Sequence, residues 1–171
     1  MAEIRVLGIE GIPEVDVGDD IAALIVDGTQ RLGIPLEQGD VMIVTQKIVS
    51  KAEGKIVNLK NVRPSEIAVQ ISKESVRDPR HTEMILRESV RIVRMDRGNI
   101  ISETRHGFIC ANAGIDASNI PGDDSIALLP DDPDASAQRI RTGIKDRSGK
   151  NVAVIISDTF GRPWREGAVN V

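Results

Sequence analysis

A chain of 171 residues is long enough for one substantial domain or two small ones. Its 40% hydrophobic and 28% charged residues are ordinary for a globular protein, and a net charge of −4 leaves no basic footprint for a nucleic-acid backbone. Two Phe, one Trp and no Tyr also argue against base stacking, so the core has to be built from Ile, Val, Leu and Ala.

In chain order, Ile4 to Ile9 reads as a strand, followed by the turn-like Glu10-Gly11-Ile12-Pro13. Asp19 and Asp20 precede Ile21, Leu24 and Ile25, the spacing of an amphipathic helix with acidic residues at its start, which ends near Gly33. Val41 to Val44 is a buried strand running into the polar Thr45-Gln46-Lys47. Lys51 to Lys55 then leads to a short strand at Ile56 to Leu59. Pro64-Ser65-Glu66 opens a helix, and Asp78-Pro79 is an N-cap with proline at the first helical position of another, running to about Ser89. Val90 to Met95 and Asn99 to Thr104 form a hairpin around Asp96-Arg97-Gly98, with Phe108 to Ala111 as a third strand. Ser125 to Leu129 is a further strand, Asp132-Pro133 caps a helix that Gly149 ends, and Val152 to Ser157 is an apolar strand that delivers Asp158. Hairpin and strand–helix alternation together give an α+β, or mixed α/β, fold. Gly167 to Val171 reads as the start of another apolar element, so the chain is expected to stop within a structured region.

Cys110, the only cysteine, lies in an apolar run and reads as a small core residue. No apolar run approaches the ~18 residues of a membrane span. The start of the chain has no signal-peptide core, which points to the cytoplasm. His81 reads as exposed at a helix start. His106 lies on a strand approach, and neither histidine has metal-ligand spacing.

Two loops carry candidate chemistry. Asn112-Ala-Gly-Ile-Asp116-Ala-Ser-Asn119 is built from small residues around polar side chains, the composition of a loop that approaches a ligand closely. The second, Ser157-Asp158-Thr159-Phe-Gly-Arg162-Pro-Trp164-Arg165, follows the apolar strand. A Mg²⁺ ion is commonly held by one or two carboxylates plus substrate phosphates, which Asp116, Asp158 and the Thr159 hydroxyl could provide. The same aspartates could equally serve as turn or strand-end caps. Lys51, in Val49-Ser-Lys-Ala-Glu-Gly54, is either a phosphate-neutralising point charge or a solvated lysine, and Glu53 either supports a metal or pairs with Lys51 or Lys55. Arg162 and Arg165 could bind phosphate, with Trp164 stacked on one of them, or form an anchored surface loop. No P-loop, dinucleotide-binding glycine motif or nucleophile elbow is present.

Taken in order, the Lys51 segment, the Asn112–Asn119 loop and Ser157-Asp-Thr-Phe-Gly-Arg162, together with Glu10-Gly-Ile-Pro13, resemble the coenzyme F420-0:γ-glutamyl ligase family over essentially the whole chain. The ending Phe-Gly-Arg-Pro-Trp-Arg-Glu-Gly is similar to members fused to a nitroreductase-like domain. The resemblance implies a ligase that adds L-glutamate to a deazaflavin precursor through a γ-linked amide. It implies GTP as co-substrate and Mg²⁺ or Mn²⁺ as cofactor, with K⁺ as a further candidate. It also implies an intertwined homodimer of mixed sheets, with the site in a groove at the subunit interface. Carried over by position, Asp116, Asp158 and Thr159 would bind metal. Gly11, Ile12, Pro13, Glu14, Gln46, Lys47, Lys51 and Asn119 would bind nucleotide. Gln46 and Lys47 stand where the family often has a small hydroxyl pair. The family's ligase domain is longer and supplies another nucleotide-binding segment beyond residue 171, so the resemblance implies that residues 1–171 hold an incomplete domain. Two other readings of the same residues are a metal-dependent nucleotide phosphohydrolase and a non-catalytic binding or dimerisation module.

Overall fold

Aspartates start three of the helices. Asp20 accepts a hydrogen bond from the Ala23 amide and opens α1, Ile21–Arg31. Asp78, followed by Pro79, accepts from the Arg80 amide and opens α4, Pro79–Arg87. Asp132, followed by Pro133, accepts from the Ala135 amide and opens α5, Pro133–Ser148, which Gly149 ends in the left-handed conformation. Each cap satisfies an amide that the first helical turn leaves unpaired, and proline at the first position has no amide to leave unpaired. The other α-helices among the described residues are α2, Gln46–Ala52, and α3, Glu66–Lys73. The computed structural model describes residues 3–73, 77–117, 124–159 and 169–170.

The strands among these residues form three small sheets. In the first, β1 (Val41–Thr45) and β7 (Ala153–Asp158) run parallel, from Val41 beside Ala153 to Thr45 beside Ser157, and β8 (Val169–Asn170) pairs antiparallel with the end of β7. In the second, β2 (Ile56–Asn58) pairs antiparallel with β6 (Ser125–Ala127). The third is the antiparallel set of β3 (Ser89–Asp96), β4 (Asn99–Thr104) and β5 (Ile109–Ala111). The α+β class expected from the sequence is the class observed.

Apolar burial falls into two groups. One joins α1, α2 and α5 to the inner face of the parallel pair, through Ile25, Val49, Ile144, Val44 and Ile156. The other gathers Met84 and Ile85 of α4 with Ile100, Ile115, Ile126 and Leu128. Cys110 is fully buried, as expected of a small core residue. The outer face of the parallel pair exposes Val41, Ile43 and Ile155.

Several sequence expectations change. Val41 to Val44, read as a buried strand, buries only Val44, while Val41 and Ile43 are exposed. Ile4 to Ile9 belongs to no strand, and Ile4 and Val6 are about 90% exposed (91% and 89%), because no strand among the described residues pairs with their backbone. The polar Gln46-Lys47 that follows β1, given no element in the sequence reading, opens α2. His81 is half-buried rather than exposed, and its Nε2 is enclosed with no hydrogen-bond partner among the described residues.

Burial holds the His81 imidazole below its usual value, and the nearby Arg77 charge adds to this, while Asp78 opposes it. The folded chain therefore resists a proton that the unfolded chain accepts at about pH 6.5. We expect stability to be unaffected by His81 above that pH and to fall as the pH drops below it. Denaturation midpoints measured between pH 7 and pH 5 should show a shallower decline in His81→Gln.

Candidate functional site

The site is organised by α2, whose residues follow β1 without a loop. Positions four apart on a helix share a face. Gln46 and Ser50 form one such pair, both fully buried, and both donate to the carbonyl of Leu128, at 2.9 and 2.6 Å. Leu128 follows directly on β6, and its own amide donates to the Lys55 carbonyl at 2.9 Å. These bonds fasten α2 to the exit of β6, where the two apolar groups meet. We expect Gln46→Leu, which leaves that buried carbonyl with one donor fewer and buries no new polar group, to cost about 1–3 kcal/mol. A fall in the urea midpoint would register it.

The adjacent stripe of α2 carries Lys47 and Lys51, again four residues apart. Lys47 Nζ lies 2.7 Å from Asp116 Oδ2, with side-chain exposures of 19% and 37%. Lys51 pairs with Glu14, the last residue of the Gly11–Glu14 turn, and its own side chain is only 13% exposed. An ammonium this enclosed on a helix face is well placed to hold an anion as a point charge.

Asp116 is brought to Lys47 by its backbone. Its amide donates to the Ala127 carbonyl at 3.1 Å and its carbonyl accepts from the Ala127 amide at 2.7 Å, so the loop is stitched to the edge of β6. Just before it, Asn112, Ala113 and Gly114 all have left-handed backbones, with φ of 56°, 54° and 70°. Gly114 is needed twice over, for its positive φ and because a Cβ there would come within 2.9 Å of Leu129 Cδ1. Asn112 Oδ1 accepts from the Arg77 guanidinium at 2.7 Å.

Asp158 is the last residue of β7. Because Thr45 is in register with Ser157, the next residues, Gln46 and Asp158, leave the C-terminal ends of two adjacent parallel strands together. Ligands in α/β folds gather at such strand ends. Thr159 follows, exposed. The donors are of the right chemistry for a hard divalent cation: two carboxylates, from Asp116 and Asp158, and the Thr159 hydroxyl. Among the described residues no group of three or more His, Cys, Asp or Glu is placed to hold a metal ion. An ion held by these donors would have to take its remaining oxygens from phosphate and water, the usual habit of Mg²⁺.

The structure thus joins Lys47 to Asp116 and Lys51 to Glu14, with Asp158 at the end of the strand beside β1. Gln46 is fully buried, with its side chain spent on the Leu128 carbonyl. Gly11 sits at φ 71° with its carbonyl accepting from Arg31 at 2.9 Å, Ile12 is half-buried and Pro13 is exposed. Asn119, Arg162, Trp164 and Arg165 lie outside the described residues. Glu53 pairs with neither neighbouring lysine: it accepts from Ser136 Oγ and Arg139 at 2.5 and 2.6 Å, within the α2–α5 contact. His106 turns its Nε2 to the Pro130 carbonyl, 2.8 Å away, as a structural tie. Arg31 and Arg77, which sequence reading did not single out, both anchor candidate loops through tertiary contacts alone.

A family model described as F420-0:Gamma-glutamyl ligase matches residues 9–171. A coenzyme F420:L-glutamate ligase of Methanothermobacter thermautotrophicus is 50% identical over 169 residues, covering 98% of this chain and 66% of the relative. One from Methanopyrus kandleri is 43% identical, covering 100% of this chain and 67% of the relative. A third, from Methanocaldococcus jannaschii, is also 43% identical, covering 80% and 54%. The chain thus spans between 54% and 67% of the length of these curated relatives. Among the described residues, no helix is long and apolar enough to cross a membrane.

Proposed function

The chain belongs to the F420-0:γ-glutamyl ligase family, and from that premise we propose that its protein is a ligase that adds L-glutamate to the deazaflavin precursor coenzyme F420-0 through γ-linked amides, at the expense of GTP. The carrying observation is the contact of Lys47 with Asp116 on the same helix face as the enclosed Lys51, at the strand ends that also deliver Asp158. Cationic and acidic groups side by side suit a nucleotide polyphosphate accompanied by a divalent ion.

The chemistry asks for an activated carboxylate. In the first round it lies on the precursor's lactyl group, and its oxygen attacks the γ-phosphorus of GTP to give an acyl phosphate and GDP. The amine of glutamate then attacks the acyl carbon, the amide bond forms, and inorganic phosphate leaves. Because GTP provides the activation, no side chain has to act as a nucleophile. Lys51, kept beside the turn by Glu14, would direct its remaining donors to phosphate oxygens and offset their charge. Lys47 would hold the Asp116 carboxylate in place and lend a second positive charge beside the phosphates. Asp116, Asp158 and Thr159 would hold Mg²⁺ or Mn²⁺, which supplies Lewis-acid stabilisation of charge on the transferred phosphoryl group.

A homodimer also fits. Parallel sheets are normally covered on both faces, and the outer face of β1 and β7 exposes Val41, Ile43 and Ile155. We expect Ile43→Lys to shift the full-length protein toward monomer in sedimentation velocity.

The test of the function is binding and turnover by the full-length protein. Asp116→Ala and Asp158→Ala should each abolish Mn²⁺-dependent GDP binding in calorimetry. Retention in both variants would remove the metal assignment. GTP hydrolysis should require both precursor and glutamate. Equal turnover without them would make the protein a phosphohydrolase instead.

A further inference from the structure

We infer that Arg31 is a positioning residue for the nucleotide: together with Gly28 it docks residues 9–14 across α1 so that the Gly11–Glu14 turn meets Lys51. This rests on the nucleotide reading above. Residues 9–15 belong to no helix or strand, yet Ile9 and Ile12 are half-buried and Val15 is buried, one inward residue in every three. The surface that receives Ile9 and Ile12 is one face of α1. A Cβ on Gly28 would lie 2.7 Å from Ile9 Cγ2 and 3.8 Å from Ile12 Cγ1, so the segment crosses the helix at a residue with no side chain. Three positions on, and therefore on the same face, Arg31 Nη2 donates to the Gly11 carbonyl at 2.9 Å and reaches the Glu10 carbonyl at 3.4 Å.

An arginine in the last turn of a helix ordinarily serves that helix's own carbonyls or its dipole. Arg31 instead gives its guanidinium to a segment some twenty residues earlier. Gly11 bends the chain at φ 71°, and the bend ends at Glu14 against Lys51. A segment without ladder hydrogen bonds has few ties, so removing this one lets the turn drift from the phosphate-binding lysine. The charge of Arg31 does not touch the nucleotide in this scheme; it acts through the Gly11 backbone.

The experiment compares variants of the full-length protein in steady-state GTP kinetics, with thermal unfolding of each. Arg31→Gln should raise the KM for GTP about tenfold, the usual worth of one charge-assisted hydrogen bond. kcat should stay nearly unchanged, and Arg31→Lys should recover part of the loss. Gly28→Ala should raise the same KM by displacing Ile9, although alanine favours the helix itself. Gly143→Ala is the packing control: its Cβ would lie 2.7 Å from Ala22 Cβ, between α5 and α1, and it should lower the melting temperature while leaving the KM for GTP alone. A wild-type KM in both Arg31→Gln and Gly28→Ala would overturn the proposal, and so would an equal KM rise in Gly143→Ala. Wild-type protein that neither binds nor turns over GTP would overturn the functional reading and this proposal together.

Discussion

The carbonyl of Leu128 is the point on which the arrangement depends. A buried carbonyl must find donors, and this one takes two side-chain bonds from consecutive turns of a short helix. A seven-residue helix has little stability of its own. Fastened by Gln46 and Ser50, α2 holds a fixed rotation about its axis. Its neighbouring stripe then has one direction available, toward the loop stitched to the other edge of β6. The contact of Lys47 with Asp116 follows from two separate backbone attachments to residues 127 and 128.

The same geometry explains why the candidate site lies between the two apolar groups and belongs to neither. The parallel pair and its helices supply Asp158, Lys47 and Lys51. The second group supplies Asp116 through Ile115 and Ala113, both buried within it. A shift of one group against the other would separate carboxylate from lysine, so cohesion across the Leu128 junction is a condition of function as well as of stability.

Local signals in the sequence were strong where a residue acts on its own neighbours. Asp78-Pro79 and Asp132-Pro133 mark helix starts, Gly149 marks an end, and Asp96-Arg97-Gly98 marks a hairpin, because caps and turns are settled within a few residues. The expectation failed at Ile4 to Ile9, where an apolar run suited a strand but found no partner, and at α2, too short to show a helical period and started by Thr45 without a side-chain cap. Glu53 reads as a metal support or a partner of Lys51 or Lys55, but its partners stand 83 and 86 residues away. Of the candidate site, Asp116, Asp158 and Lys51 were legible as residue types on loops or strand ends. Their mutual placement was not, since it rests on Gln46 and Ser50 meeting Leu128, a contact no sequence period encodes.

The left-handed run from Asn112 to Gly114 has a consequence for affinity. Two residues with side chains held at positive φ each cost about 1 kcal/mol or more, and here the cost is borne by packing against Leu129, the Arg77 bond and the strand-edge pairing of Asp116. The folding reaction has therefore already ordered the turn before any ligand arrives. An ion or phosphate that docks at Asp116 does not have to freeze a mobile loop, and the entropy that such freezing would consume remains in the binding free energy.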